Sequence, residues 1–240
     1  MDWITNLLVF LLFLLLSGLT VKARLLNKPA AASGALLAWL IWLGTGVTGV
    51  LSLALFFICG AGATRWKKKV KRQWISENQK NKTDRKASQV WANGGMAGLG
   101  AVLAILFPEW KEEGLLIVVA VLAAACSDTL SSELGTLYGR RFFNCLTGKP
   151  DQRGADGVVS LEGFVFGIIG SVLIALVYGF MYSFGWQFAG IILAGLLGNL
   201  SDSFFGAALQ RKGVLNNDWV NVLNTIIAAI SMILLSIAFS

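Results

Sequence analysis

The stretch GLLIVVAVLAAACSDTLSS, running from Gly114 to Ser132, decides the fold of this chain. An apolar run of roughly 18 or more residues is long enough to cross a bilayer as a helix, and this one carries an acid, Asp128, inside it. A second stretch, FAGIILAGLLGNLSDSFFGAAL from Phe188 to Leu209, does the same with Asp202. Each acid sits in a Ser-Asp-hydroxyl triplet, Ser127-Asp128-Thr129 and Ser201-Asp202-Ser203, fourteen residues into its run. An unpaired Asp at a helix centre costs roughly 2.5 to 3.5 kcal/mol to insert, so an intramembrane carboxylate marks a functional site by default. Two equivalent ones suggest a shared site.

Working outward, 56% of the 240 residues are hydrophobic and only 14% are charged. The expected fold class is all-α, a polytopic membrane helical bundle of about eight spans in a single domain, 1–240. The run from Trp3 to Leu19 lacks a basic leader and a small-residue cleavage site, so it reads as a retained helix. There is no histidine. That removes imidazole ligands and the Ser-His-Asp and Cys-His arrangements, leaving carboxylates for any acid-base or metal chemistry. Cys59, Cys126 and Cys145 lack metal-type spacing, and the first two lie in apolar runs where small hydrophobes belong.

Topology follows from the 20 basic residues. Ten lie between Arg65 and Lys86, three between Lys22 and Lys28, four between Arg140 and Arg153, and two at Arg211 and Lys212. The positive-inside rule assigns all four groups to the cytoplasm. For the first two groups to share a side, 33–63 must cross twice, turning near Gly44-Thr45-Gly46. Further helices are expected over 90–107, 114–132, 158–182, 188–209 and 219–239. The segments 65–89 and 136–157 then become a basic cytoplasmic loop and a cytoplasmic active-site loop. The protein reads as a multi-pass component of a prokaryotic cytoplasmic membrane with its site facing the cytoplasm. The basic loop, with Lys67-Lys68-Lys69 and Lys71-Arg72 between Trp66 and Trp74, is expected to contact anionic lipid headgroups and not nucleic acid. The glycine-rich stretches 94–100 and 163–170 read as close helix packing.

With that topology Asp128 and Asp202 reach the same depth. Asn93, Glu162, and the amides Asn217, Asn221 and Asn224, which step by four and three along one helical face, start from the same side. Oxygen ligands facing an aqueous opening suit Mg²⁺, which keeps several waters and bridges phosphates. Arg140, Arg141 and Lys149 follow the first Asp motif, where cations can hold phosphates. A metal and phosphate site, a transport path and simple helix packing all remain open on these residues alone. The two Asp motifs, 74 residues apart, also suggest a parallel internal duplication.

Four ordered segments add a resemblance: Ser127 to Gly135, Gly154 to Gly163, Gly198 to Gln210, and Asn216 to Asn221. They resemble the successive motifs of the integral-membrane family that includes transmembrane protein 19 and plant phytyl-phosphate kinase. More distantly, Ser127-Asp128 followed by Gly139-Arg140-Arg141 and Ser160-Leu161-Glu162-Gly163 is similar to the CTP-using dolichol and phytol kinases and phosphatidate cytidylyltransferases. The resemblance implies a CTP- or other nucleoside triphosphate-dependent kinase that converts a prenyl monophosphate into a diphosphate.

By matching motifs, Asp128, Asp202 and Glu162 would hold Mg²⁺ and serve catalysis together with Asn221. The same matching assigns substrate and nucleotide contacts to Asn93, Ser127, Thr129, Ser132, Glu133, Arg140, Arg141, Lys149, Asp156, Ser160, Ser203, Gln210, Asn217 and Asn224. One departure stands out. Where the CTP-using enzymes carry Lys before the hydroxyl residue, this chain has Val159 before Ser160, so Arg153 or Lys149 would have to replace that contact. No P-loop signature is present. A lipid or ion transporter and a membrane cytidylyltransferase are the alternatives.

Overall fold

A computed structural model describes residues 3–71, 73–74 and 86–239. In hydrocarbon every backbone N–H and C=O must be paired within its own segment, so the apolar runs become helices. These are α1 (Trp3–Lys22), α2 (Lys28–Arg65), the single turn α3 (Lys68–Lys71), α4 (Ala87–Leu106), α5 (Lys111–Tyr138), α6 (Leu161–Met181), α7 (Trp186–Phe205) and α8 (Asn217–Phe239). Among the described residues seven are long and apolar enough to cross a membrane. Two-residue strands, β1 (Phe143–Asn144) and β2 (Val158–Val159), pair antiparallel between α5 and α6. The chain is an all-α polytopic bundle.

The double crossing expected of 33–63 is built into α2. Its continuous helical span hides one residue, Gly46, at φ 64° and ψ −147°, a conformation essentially reserved for glycine. The chain reverses there. The Arg65 guanidinium at the end of α2 donates to the carbonyls of Ala23 (2.5 Å) and Arg24 (3.3 Å) before its start. Phe57 packs on Ala30 and Ala31. Two antiparallel arms, 28–45 and 47–65, therefore occupy the place of two spans, each about 27 Å long at 1.5 Å per residue. Thr45 Oγ1 donates to the Ile41 carbonyl just before the turn (2.8 Å), so the last polar group of the first arm is satisfied within its own helix.

With the hairpin in place, the described members of the basic clusters gather at one end of the bundle. Arg65 meets the turn at 23–24, Lys71 pairs with Glu133, and Arg211 pairs with Asp151 at 2.6 Å. Trp66 Nε1 donates to the Tyr138 hydroxyl (2.8 Å). The opposite end holds the starts of α1 and α5 and the 182–187 turn, closed by contacts such as Trp42 Nε1 to Asn6 (3.1 Å) and the stacked rings of Trp186 and Phe239. Arg72 and the part of the expected basic loop at 75–85 lie outside the described residues.

α5 is the axle. It packs against α2, α4, α6, α7 and α8, and 83% of its apolar window is buried, against 6% for α1. A helix apolar all round and buried belongs at the centre; one apolar all round and exposed faces lipid. Because lipid is as apolar as leucine, close approach and not the hydrophobic effect joins such helices. The glycines supply that approach where α6 crosses α5. A Cβ on Gly135 would stand 2.6 Å from the Gly163 Cα, and one on Gly170 would stand 2.9 Å from the Cys126 carbonyl oxygen. Cys126 is buried on α5 and Cys59 packs against the same core, the packing role their apolar surroundings imply. α5 also runs further than expected, so the loop predicted to begin at residue 136 starts at Gly139.

Candidate functional site

Where α5, α6, α7 and α8 meet near the basic end, a cavity of about 150 Å³ opens. Asp128 of α5 and Asp202 of α7 line it together, close enough for their charges to interact. They share a face with Ser131 and Ser132 on one helix and with Asn199 and Ser203 on the other, as steps of three and four residues dictate. Asn217 contributes from the start of α8, and the loop 139–160 closes the mouth with Phe142, Asp156 and Ser160.

Burial makes this cluster chemically demanding. Among the described residues, Ser127 Oγ, Asp202 Oδ1 and both polar side-chain atoms of Asn224 are buried without a hydrogen-bond partner. Asn224 stands beside Asp202 in room left by Gly198, where a Cβ would lie 2.6 Å from Asn224 Oδ1. Orphaned buried polar atoms are costly. Two ionised carboxylates at this separation also repel, so the pair calls for a cation between them or a proton shared across them. Among the described residues no basic side chain lines the cavity. Carboxylate, amide and hydroxyl oxygens around an acidic, partly open pocket are the donor set of a hard divalent cation.

The mouth is built by the loop and a change in helix pitch. Gly206–Gln210 continues α7 as one π-helical turn, a distortion that recurs at functional sites. Gly157, at φ 69°, lies against it so closely that a Cβ would collide with the Ala207 backbone. Gln210 donates to Asp156 Oδ1 at 2.8 Å. Burial pushes the Asp156 carboxyl above its ordinary range, with Arg211 pulling the other way. Ser160 caps α6 by accepting from the Gly163 N–H (3.0 Å), which leaves its hydroxyl proton free for the cavity.

The structure brings Asp128, Asp202, Ser132, Asp156, Ser160, Ser203, Gln210 and Asn217 to one cavity and places Ser127 and Asn224 at its buried head. It does not bring the rest. Glu162, expected as a third metal ligand, turns to Arg140, accepting from its backbone N–H at 3.3 Å and facing its guanidinium at 4.0 Å. Among the described residues no three acidic or thiol side chains cluster tightly enough to hold a metal, so amides, hydroxyls, water or substrate oxygens must complete any ligand set.

Glu133 pairs with the buried Lys71 ammonium. Thr129 donates back to the Ala125 carbonyl (2.8 Å). Asn93 donates to Gln89 (2.9 Å) and lines a separate apolar cavity. Asn221 is buried on α8 without lining the polar cavity, and Arg141 and Lys149 are exposed outside it. Arg140 is 90% exposed. Arg153, the expected stand-in for the missing Lys, lies between the rings of Trp74 (4.4 Å) and Phe142 (4.6 Å) and donates to the Gly139 carbonyl at 2.6 Å. It braces the loop. Asn199 was absent from the expected set, although its three-residue step before Asp202 was the available signal.

The family model described as "Integral membrane protein DUF92" matches residues 11–229. The chain belongs to the DUF92 family. It is 32% identical to the Methanocaldococcus jannaschii protein named "Uncharacterized membrane protein MJ0933", over 98% of this chain and 96% of the relative. It is also 32% identical to "Protein VTE6, chloroplastic" of Arabidopsis thaliana, over 96% of this chain and 69% of that protein. A Synechocystis relative, "Uncharacterized membrane protein sll0875", is 32% identical over 90% of this chain and 85% of its own length. No solved structure matches. The family match spans every residue that lines the cavity, so the DUF92 chain is a multi-pass integral membrane protein with its polar cluster inside the shared region.

Proposed function

We propose that this protein is a Mg²⁺-dependent phosphotransferase that makes a prenyl diphosphate from a prenyl monophosphate and a nucleoside triphosphate, with CTP the expected donor, at the cytoplasmic face of the membrane. The observation that carries this reading is the meeting of Asp128 and Asp202 from two helices, beside the unpartnered Ser127, Asp202 and Asn224 atoms, in a cavity open to the basic end. The motif resemblance to the phytyl-phosphate kinase family supplies the reaction class.

Asp128 and Asp202 fit a divalent cation, helped by Asn224 and the Ser127 hydroxyl. Mg²⁺ held there would supply positive charge to offset that on the transferred phosphoryl group. The remaining tasks belong to the chain. Ser160 and Asn217 donate hydrogen bonds to phosphate oxygens, while Ser132 and Ser203 donate back to the Thr129 and Asn199 carbonyls (3.3 and 3.4 Å), and Gln210 keeps Asp156 at the rim. The cavity admits phosphate groups and excludes the bulk of a nucleotide. A lipid phosphate oxygen attacks the terminal phosphorus of the triphosphate, a new P–O bond forms, and the bond to the nucleoside diphosphate breaks. With a second phosphate pKa of about 6 the nucleophile is already ionised at neutral pH, so the absence of histidine is no obstacle. Positioning and charge neutralisation suffice for this chemistry.

The test is to incubate purified protein in lipid with Mg²⁺, each nucleoside triphosphate and a series of prenyl monophosphates, and to identify products by mass spectrometry. Prenyl diphosphate and nucleoside diphosphate should form, stop with a chelator, and fall at least about a hundredfold in Asp128→Asn and Asp202→Asn. Pyrophosphate release with a cytidylyl lipid would make the protein a cytidylyltransferase. No turnover by folded protein would move the site to transport.

A further inference from the structure

A second cavity, of about 450 Å³, lies between α1, both arms of α2 and the start of α4. Phe13, Leu19, Leu37, Leu53, Phe57 and Val90 set its character, which is mostly apolar. Two of its four polar lining residues are already spent on their own helices. Thr20 Oγ1 donates to the Ser17 carbonyl at 2.7 Å and Asn93 Nδ2 to the Gln89 carbonyl at 2.9 Å. Apart from Ser17 and Gln89 at its polar edge, the walls offer a ligand hydrocarbon. In size and lining it matches an ordinary ligand pocket, and it is separated from the acidic cavity by α4 and α5.

Cations stand on the turn at one mouth of this cavity. Ala23, Leu25 and Leu26 line it, and the same turn carries Lys22, Arg24 and Lys28, all exposed. Among the described residues none of the three has an ion-pair partner. The sequence explains why, since no Asp or Glu occurs between Trp3 and Ser76. The turn is fixed in place. Arg24 holds φ 53° while Arg65 ties the carbonyls of Ala23 and Arg24 to the end of α2. A rigid cationic collar over an apolar slot has the chemistry of an anionic headgroup attached to an acyl chain.

We propose that this cavity is a binding site for one anionic two-chain phospholipid of the bilayer, with an acyl chain between α1 and the α2 hairpin and its phosphate on Lys22, Arg24 and Lys28. The site is distinct from the Asp128–Asp202 cavity and independent of the reaction proposed for it. It also accounts for the attachment of α1, whose helical packing partner is α2. The lipid chain fills the wedge that the two helices leave.

The test is native mass spectrometry of the full chain, delipidated in detergent and re-equilibrated with phosphatidylglycerol or phosphatidylcholine. One phosphatidylglycerol per chain should be retained, at least tenfold over phosphatidylcholine. The preference should vanish when Lys22→Gln, Arg24→Gln and Lys28→Gln are combined. Ala54→Phe, which fills the slot, should abolish retention of either lipid, with Ala35→Leu as a second filling variant should the first fail to fold. Leu8→Phe on the lipid-facing side of α1 and Asp128→Asn should leave retention unchanged. Equal retention of the two lipids, retention insensitive to both filling variants, or displacement of phosphatidylglycerol by a prenyl monophosphate would each overturn the proposal.

Discussion

Two acids from separate helices converge only because each stands at the same depth and on the same helical face as its neighbours, and that much is written in the spacing of Ser127-Asp128-Thr129 and Ser201-Asp202-Ser203. The residues that shape the mouth are less visible. Gly157 at φ 69° touches the Ala207 backbone, so Gly157→Ala combines left-handed strain with a collision. Its expected effect is a loss of turnover of tenfold or more in protein that still melts within a few degrees of the parent, checked by activity alongside thermal unfolding in detergent. Asp151 provides a pH signature. The Arg211 guanidinium, followed by the Gln152 N–H, holds its carboxyl below the usual range. A carboxyl with a depressed folded pKa adds stability above its unfolded value of about 3.9, and that stability is lost as pH falls through the folded value. Loop docking should therefore persist at neutral pH and loosen below about 4, read as protease cleavage within 139–160 across a pH series. Arg211→Gln should make cleavage faster at neutral pH and nearly independent of acid.

Among the elements, α2 shows how one residue sets topology. The charge pattern demanded two crossings within 33–63, and Gly46 supplies the reversal with a backbone conformation that side-chain-bearing residues avoid at a cost of about 1 to 3 kcal/mol. Gly46→Val should lower the unfolding midpoint by an amount consistent with that range, while a substitution at Gly62, where a Cβ meets nothing, should leave it unchanged. The loop 139–160 was legible as a glycine-rich connection. Its bracing was not. Lys71 reaching Glu133 and Arg153 between Trp74 and Phe142 join segments more than sixty residues apart, and no local spacing announces such contacts. For the same reason Glu133, Glu162 and Arg153 looked like ligand contacts in the sequence and are partners of the protein itself.

At the scale of the whole molecule, the basic clusters share one end and the acidic cavity opens beside them. Cys145 is exposed on that end, its thiol donating to the Ser203 carbonyl at 3.0 Å. With Cys59→Ala and Cys126→Ala removing the other thiols, a membrane-impermeant maleimide should label Cys145 in inside-out vesicles and not in right-side-out ones. Labelling from the outer side would reverse the orientation drawn from the positive-inside rule. Burial pushes this thiol above its ordinary pKa, so labelling should accelerate as pH rises through and beyond 9.

The sequence by itself determined that the chain is a membrane bundle, how often it crosses, that its basic loops belong together, and that Asp128 and Asp202 stand at one depth. Each of these follows from composition, run length, charge placement or helical periodicity, which are local quantities. Only the tertiary structure decided which polar residues face the shared cavity, which are consumed in ion pairs and caps, and which, like Ser127 and Asn224, are left buried and unsatisfied. The reason is that burial and pairing belong to helices in contact, and glycines such as Gly135, Gly163 and Gly198 set those contacts to within an ångström.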